Sequence, residues 1–362
     1  MKKIILFCSL VLLFFTSCQT SVDLKYMVPS RVDMGPYRNI AVATVTPDRG
    51  FSRPSVFIRT SDRESGRMYS KIYSSYSSNL AFSVADYATS EIVRQLEESR
   101  YFSVISPRET DHIIKYSYNP GEDFSALGAD AVLLSSIDTM YINEYIHSKS
   151  KERIVIAEDG KEIVVVDTDY YYSVSCTLKF SYTLVDSRTN KVIFSDSFSR
   201  TFSDDAQIPG PWFSPPSPLY SYNNMIRGII KSMVFDFVPH TVTSNISLMK
   251  NKPENESAEL AYDLAKDGKY LAAANEFYSV FSSSSHIPSA YNAALLYAIS
   301  DISKAIDILD EAYEKTGASE LLELKNTFLR MQKSTEEAQS QIEGKSPGEQ
   351  GDTSYNIYRM YI

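Results

Sequence analysis

The histidines and other residues that could carry catalysis do not form a recognisable catalytic pattern. The histidines are His112, His147, His240 and His286. They are far apart in the sequence, and none belongs to a metal-binding spacing such as His-Glu-x-x-His. The sequence also contains no Gly-x-Ser-x-Gly segment and no glycine-rich phosphate loop. We therefore expect a protein that is not an enzyme, with no metal site and no cofactor.

Two further features could do chemistry, and each has a simpler structural interpretation. Cys176 alternates with Val174 and Leu178 along a β-prone segment, so it is expected to be a small buried residue rather than a nucleophile. The pair Asp204-Asp205 precedes a proline-rich segment. Its carboxylates could bind a cation, but a solvated turn is the simpler prediction.

The first residues have the layout of an export signal. Lys2 and Lys3 precede a run from Ile4 to Phe15 that is apolar except for Ser9. This run is shorter than the about 20 residues that a transmembrane helix needs. Small residues follow it, as at the cleavage point of a secretory signal peptide. Residues 1–17 are therefore predicted to be a signal peptide.

The end of that signal, Phe15-Thr16-Ser17-Cys18, resembles the bacterial lipobox. The resemblance implies that Cys18 carries a diacylglycerol and that fatty acyl chains such as palmitate anchor the mature chain to an envelope membrane. Phe15 departs from the usual Leu, Val or Ile, and an ordinary signal peptide with a chance cysteine is the alternative. Since Gln19 is not the aspartate that retains lipoproteins in the inner membrane, we expect an outer-membrane lipoprotein facing the periplasm.

The charge balance limits the class of partner, and the cysteine content limits the disulfides that can form. The chain has 36 Lys and Arg against 45 Asp and Glu, a net charge of −9, and no basic block. This balance argues against binding to nucleic acid. Of the 3 cysteines, only Cys176 would remain free after cleavage and lipidation, so no intrachain disulfide is expected.

Hydrophobic patterning predicts an α+β fold in two domains. Residues 18–38, which include Pro29, Gly35 and Pro36, are predicted to be an irregular tether. Residues 39–249 begin with strand–helix alternation and continue with long β-prone runs, which predicts a mixed sheet with flanking helices. An all-α domain is expected at 258–331. The tail 332–362, rich in Glu, Gln, Ser and Gly, is predicted to be disordered.

The predicted sheet domain resembles the amino-terminal domains of the curli-secretion lipoprotein and of TolB-like envelope proteins over residues 37–240. The resemblance depends on the order and spacing of short segments, which are Ile40–Val42, Val84–Leu96, Arg100–Ile105, Gly128–Val132 and Leu184–Val192. Asn190 stands where this family often has glycine. The resemblance implies a mixed sheet and brings no known activity.

The predicted helical domain resembles tetratricopeptide repeats. Tyr270, Ala273 and Phe277 are matched at Ile302, Ala305 and Leu309, a spacing close to the repeat length of about 34 residues. Small residues at 273 and 305 would allow close approach of helices. A plain bundle of helical hairpins is the alternative.

The aromatic content suggests a binding protein. The chain has 26 Tyr and 18 Phe, and large rings are favoured in contact surfaces because they bury much area at a low entropy cost. Six residues are predicted to contact a protein partner of unknown identity: Tyr262, Tyr270, Tyr291, Tyr297, Trp212 and Phe213. Packing of these rings in the core is the alternative.

Two functions follow as hypotheses. The first is a membrane-anchored, non-enzymatic scaffold or assembly factor that binds a protein. The second is a subunit of an oligomeric secretion channel similar to the curli exporter, which would need hairpins of about ten residues per strand that can enter a membrane. The segments 59–80 and 141–171 are the candidates, although both carry charges where an outer face should be apolar: Arg63, Glu64 and Arg67 in the first, and Lys149, Lys151, Glu152 and Arg153 in the second. Homo-oligomerisation is left open.

Overall fold

The structure, a computed structural model, describes residues 20–35, 37–48, 60–61, 68–69, 79–117, 124–157, 160–209 and 217–344. The chain divides into two compact units. The sheet unit is Arg31–Val238, and the helical unit combines residues up to Ser30 with residues from Pro239 onward. The predicted signal peptide at 1–17, Cys18, Trp212 and Phe213 lie outside the described residues.

Strands and helices alternate at the start of the sheet unit, and long strands follow. In chain order the elements are β2 (Asn39–Val42), β3 (Thr60–Ser61), β4 (Met68–Tyr69), α1 (Asn79–Glu98), β5 (Ser103–Ile105), α2 (Pro107–Ser117), β6 (Ala131–Ile156), β7 (Glu162–Asp186), β8 (Val192–Gln207) and α3 (Pro218–Phe237). A short 3-10 helix covers Phe124–Leu127. This order confirms the predicted α+β class.

The main sheet is mixed, with the strand order β5-β2-β6-β7-β8. Strand β2 is parallel to β5 and β6, whereas β6, β7 and β8 are antiparallel neighbours. Strands β6 and β7 pair from Ala131 and Asp186 to Ile156 and Glu162, with one register shift between Ile137 and Thr139. The full length of β6 is not evident from the sequence, because charged residues such as Lys149 and Lys151 interrupt its apolar–polar alternation.

One face of β7 forms the core of the sheet unit. Cys176, Leu178 and Phe180 are fully buried, which confirms that Cys176 is a structural residue. Helices α1 and α3 contact each other, and both contribute buried side chains to the same core. Helix α3 begins at Pro218, because proline suits the first helical turn and the Ser217 side chain caps the helix.

The helical unit begins with a two-stranded ribbon and continues with five helices. Its elements are β1 (Ser21–Val28), β9 (His240–Ser247), α4 (Glu259–Lys266), α5 (Tyr270–Ser284), α6 (Ile287–Tyr297), α7 (Ile302–Thr316) and α8 (Ser319–Glu343). Strands β1 and β9 are antiparallel, in register from Ser21–Ser247 to Val28–His240. None of the described helices is both long and apolar enough to cross a bilayer.

The residues that suggested a helical repeat lie in the core of the helical unit. Ala273, Phe277, Ala305 and Leu309 are all fully buried. Gly268 makes the turn between α4 and α5 with a φ of +76°, a conformation that glycine adopts at little cost. The helical character of this region is confirmed, whereas its assignment to tetratricopeptide repeats stays a prediction.

Three predicted boundaries differ from the structure. The tether predicted at 18–38 contains β1, and the domain predicted to end at 249 loses β9 to the helical unit. Each of these strands is stabilised by a partner more than 200 residues away, which no local pattern reveals. The predicted disorder from residue 332 is also wrong up to Glu343, because α8 is continuous there and buries Ala338. Residues 345–362 lie outside the described residues.

Candidate functional site

The four predicted contact tyrosines do not form one exposed surface. Tyr297 is only 4% exposed, whereas Tyr270 is 36% exposed. Tyr262 and Tyr291 are half-buried and pack against the core of the helical unit, and burial raises the pKa of Tyr262 to about 12. The predicted four-tyrosine contact is therefore corrected. Hydrophobic periodicity placed these rings on helices but did not determine which helix faces are covered.

Tyr262 has a structural role beside Asn292. The Tyr262 hydroxyl donates to the carbonyl oxygen of Met249 at 2.7 Å, and the buried Asn292 amide bonds both backbone groups of Met249, at 2.7 and 2.9 Å. These contacts fasten the segment after β9 to α4 and α6. A buried amide with satisfied partners is stabilising, and its loss is costly.

His286 is also structural. Its Nε2 lies 2.9 Å from the carbonyl oxygen of Pro253 and its Nδ1 lies 2.7 Å from the Ser289 hydroxyl. A carbonyl can only accept, so Nε2 carries a proton and donates to Pro253, while Nδ1 shares a hydrogen bond with the Ser289 hydroxyl, which can donate or accept. Both ring nitrogens are occupied by the fold, and His286 is 7% exposed.

The first strand of the described chain is clamped to the last helix. The Met27 N–H donates to Thr335 Oγ1 at 3.2 Å, and Ser334 Oγ donates to the Met27 carbonyl at 2.8 Å. About two turns further along α8, the Gln341 side chain bonds both the N–H and the carbonyl of Ser30, at 2.8 and 3.2 Å. Val22 and Leu24 are buried in the core of the helical unit. Strand β1 is therefore an integral part of that unit.

A second candidate surface is the outer face of the three-stranded part of the sheet. We define the polar sheet face as the outward side chains of β6, β7 and β8 at this level. They are Thr139, Tyr141, Asn143, Tyr145 and His147 on β6, Ser173, Ser175, Thr177 and Lys179 on β7, and Ser199, Thr201, Ser203 and Asp205 on β8. The opposite face of β6 and β7 is the core described above, whereas on β8 that side carries Arg200, Phe202 and Asp204, which are exposed.

His147, Ser173 and Asp205 meet on this face, although they are far apart in the sequence. Ser173 Oγ donates to Asp205 Oδ1 at 2.7 Å and lies 3.3 Å from His147 Nδ1. The serine proton thus points to the carboxylate rather than to the imidazole, which is not the arrangement of an activated nucleophile. The Ser173 hydrogen bond, aided by Lys149 at 3.1 Å, lowers the pKa of Asp205.

The sequence interpretation missed this cluster and placed Asp204-Asp205 in a turn. The structure places both aspartates in β8, where Asp205 pairs with Ser173 and Asp204 with Val174. Alternation along β7 was visible in the sequence and indicated that Ser173 lies on a wet face. The registers of β6 and β8 against β7 were not visible, because pairing depends on hairpin geometry and not on residue type alone.

Aromatic rings continue the cluster along β6. The His147 ring stacks on Tyr171, with centroids 5.5 Å apart, and lies 5.7 Å from the Tyr145 ring. The Lys149 ammonium lies 4.2 Å from the centre of the Tyr171 ring. Tyr141 and Tyr145 are 52% and 49% exposed. The face therefore offers ring surfaces to solvent next to a row of hydroxyl groups.

The sheet unit also contains a buried carboxyl group. Asp236 is 6% exposed and accepts from the Tyr182 hydroxyl at 2.5 Å and from Arg31 at 3.1 Å. Burial raises the pKa of Asp236, against the opposing effects of these two donors. Arg31 also bonds Asp196 at 2.9 Å. This network ties the start of the sheet unit to α3 and β8.

No family model and no curated protein matches the chain. The PelC dodecamer from Paraburkholderia phytofirmans is 12% identical, aligns with 58% of this chain and 95% of its own, and has a TM-score of 0.23. A variant of the same dodecamer is 8% identical, with 59% and 97% covered and a TM-score of 0.24. Lipoprotein GNA1162 from Neisseria meningitidis is 13% identical, with 54% and 98% covered and a TM-score of 0.25. At these identities and scores, the likenesses carry no argument about this chain.

Proposed function

We propose that this chain is a membrane-anchored envelope lipoprotein that acts as a non-enzymatic scaffold, with its helical unit held at the membrane surface. The observation that carries the proposal is the clamp between β1 and α8. Ser21, the first residue of β1, follows Cys18 by three positions. Three extended residues span roughly 10 Å, so a lipid on Cys18 would keep the helical unit next to the bilayer.

A short connection has a different effect from a long tether. A flexible linker lets a domain sample a volume that grows with linker length, whereas a short connection limits its distance and orientation. A scaffold benefits from this restriction because its contact surface is presented at one height above the membrane. The clamp supports such a role, because a lipid on Cys18 would hold β1 at the membrane. Strands β1 and β9 are paired and β1 is bonded to α8, so the rest of the helical unit would be held with it.

Helix α8 offers a surface for a protein partner. Leu322 and Leu329 are 37% and 41% exposed and lie on the same side of the helix at a spacing of seven residues. A shallow depression beside Leu329 is lined by Glu323, Asn326, Thr327, Leu329, Arg330 and Lys333. Exposed leucines next to charged side chains are typical of contact surfaces with an apolar centre and a polar rim.

The anchor and the scaffold can be tested in the native envelope. Palmitate labelling of the wild type and its absence from Cys18→Ser would support lipidation, and an unlabelled wild type would refute it. A photo-crosslinking residue at position 329 should capture a reproducible protein, while the same residue at Lys179, on the sheet unit, serves as the control. The scaffold would be contradicted if position 329 captured no protein. It would also be contradicted if the crosslinked product formed equally well in the Cys18→Ser variant.

The hairpin formed by β6 and β7 supports the channel as a second candidate. Beyond Gln207, where β8 ends, these strands continue as a pair through 148–156 and 162–170. Lys149, Lys151 and Arg153 all lie on one face, where Lys151 and Arg153 pair with Asp169 and Asp167. The other face carries Ile154, Ile156, Val164 and Val166, all exposed. The cations Lys149, Lys151 and Arg153 therefore lie on the opposite side from these apolar residues, whereas the carboxylates Glu152 and Glu162 lie on the same side as them.

The channel can be separated from the scaffold by its assembly. Detergent-extracted protein, studied by size-exclusion chromatography and negative-stain imaging, should form rings if each copy contributes a hairpin. Val164→Asp, on the apolar face, should disrupt such rings, whereas Asp167→Asn, on the charged face, should leave them intact. A monodisperse monomer, or rings unaffected by Val164→Asp, would contradict the channel.

A further inference from the structure

We propose that the polar sheet face binds a neutral oligosaccharide. This inference goes beyond the scaffold function and does not depend on it. The thirteen outward residues that define this face by strand register include no aliphatic side chain. It offers hydroxyl groups, one amide and exposed tyrosine rings, with His147 and Asp205 at one end and Lys179 at the other.

The outward side chains on this face differ in size from strand to strand. Strand β6 carries the large residues Tyr141 and Tyr145, which are about half exposed. Strands β7 and β8 carry mainly serine and threonine at the facing positions, such as Thr177 opposite Thr201 and Ser175 opposite Ser203. The two large tyrosine side chains on β6 therefore border a shallow trough, and small hydroxyl side chains of β7 and β8 form the bottom of this trough.

The trough floor is chemically ordered. The Thr177 and Thr201 hydroxyls are 3.1 Å apart, and Ser203 Oγ donates to Ser175 Oγ at 3.2 Å. Each hydroxyl has one donor and two acceptor positions, so these pairs keep capacity for further hydrogen bonds towards solvent. A polyol ligand can use that capacity in either direction, because its own hydroxyl groups also donate and accept.

The tyrosine rings supply the apolar part of such a contact. A pyranose ring has C–H groups on its faces and hydroxyl groups at its edge, so it can lie on an aromatic face while its edge reaches the trough. The ring faces carry the negative part of the aromatic quadrupole, which attracts polarised C–H groups. The α-carbons of Tyr141 and Tyr145 are roughly 13 Å apart at about 3.3 Å per residue, a spacing that suits an oligomer rather than one sugar.

The charges at the end of the face favour an uncharged ligand. Lys149 pairs with Asp205 at 3.1 Å, Lys151 with Asp169 at 3.4 Å and Arg153 with Asp167 at 2.5 Å. Each of these cations is compensated by a carboxylate within the protein. An anionic polymer would need several uncompensated basic side chains to bind. This row supplies none, and the defined face adds a single exposed cation, Lys179.

A protein partner suits this face less well than a saccharide. The buried centre of a protein interface is mostly apolar, and its strongest contacts are desolvated aromatic or aliphatic anchors. Between the tyrosines and Asp205 the face presents only hydroxyl, amide, ammonium and carboxylate groups. Covering these groups with an apolar protein surface would remove them from water without replacing their hydrogen bonds, which costs free energy. The hydroxyl groups of a polyol can form new hydrogen bonds with them and so offset that cost.

The test uses the full mature chain on an array of neutral hexose and N-acetylhexosamine oligomers and of anionic glycans. We expect binding to at least one neutral oligomer, with an affinity that changes little between 50 and 500 mM salt. Tyr141→Ala/Tyr145→Ala should weaken that binding by at least about tenfold. Tyr220→Ala is the matched control, since Tyr220 is 72% exposed but lies on helix α3, and it should bind like the wild type.

A second variant keeps the test valid if the double alanine variant is poorly folded. Ser203→Lys places a long side chain in the trough without touching the rings, and it should also weaken binding by about tenfold. Thermal unfolding of each variant reports its folding. Absence of binding to every neutral oligomer, binding only to anionic glycans and only at low salt, or equal binding by wild type and folded trough variants would each overturn the proposal.

Discussion

The amide of Gln341 is expected to determine how firmly the end of β1 is held on the helical unit. Its Oε1 accepts from the Ser30 N–H at 2.8 Å and from the Ser30 hydroxyl at 3.0 Å, and its Nε2 donates to the Ser30 carbonyl at 3.2 Å. A single side chain thus bonds both backbone groups of one residue, as a neighbouring strand would. Gln341→Ala removes all of these contacts and leaves α8 helical.

The magnitude follows from the number of bonds and from burial. Ser30 is 5% exposed, and each intramolecular hydrogen bond contributes a net stabilisation of about 0.5–1.5 kcal/mol. Since water can enter after truncation and replace part of the loss, we expect the local opening free energy at Ser30 to fall by about 1–3 kcal/mol. This corresponds to a loss of protection of roughly 5- to 150-fold.

Amide hydrogen exchange of the mature protein measures this quantity. Exchange at Ser30 should accelerate in Gln341→Ala, while the amides of α6, in the core of the same unit, should keep their rates. Gln339→Ala is the matched control, because Gln339 has the same side chain on the same helix and is exposed. Unchanged exchange at Ser30, or equal acceleration in both variants, would refute the reasoning that the Gln341 amide holds the strand.

Three further outcomes are expected. Phe277→Ala should lower the unfolding free energy by about 3–5 kcal/mol, because Phe277 is fully buried, whereas Leu271→Ala on the exposed side of α5 should change it by about 0.5 kcal/mol or less; denaturant unfolding distinguishes them. Cys176 should not react with a thiol reagent in the native mature protein and should react once the protein is unfolded, and rapid native reaction would contradict its burial. Because burial raises the pKa of Asp236, its contribution to stability is complete below its unfolded pKa and is lost as pH rises through the higher folded pKa. The difference in melting temperature between wild type and Asp236→Asn should therefore shrink from pH 4 to pH 7, and growth over that range would contradict it.

Local pattern was sufficient where one element carries its own signal. The apolar stripe from Val84 to Leu96 predicted a helix, and α1 has its buried residues on that stripe. Alternation from Val174 to Leu184 predicted one buried and one exposed face of β7, and it placed Cys176 correctly inside. These signals survive because helical and strand periodicity depend only on neighbours along the chain.

Local pattern was insufficient where an element depends on a distant partner. Val22 and Leu24 form a short alternation of ambiguous type, and only pairing with β9 and contact with α8 make them a strand. The polar start of the predicted tail continues α8 for the same reason, since Thr335 has a partner on β1 and Gln341 has one at Ser30, two residues after β1. Composition alone favoured disorder there because it does not record such contacts.

By itself the sequence determined the elements that repeat a period, the absence of a recognisable catalytic motif and the lipobox-like segment at Cys18. Tertiary structure alone decided that β1 belongs to the helical unit, that Tyr297 is buried and that His147, Ser173 and Asp205 lie side by side. The physical reason is the range of each interaction. Periodicity is determined by residues that are close together in the sequence. Strand register and the burial of a helix face depend instead on contacts between distant segments, which form only when the chain folds.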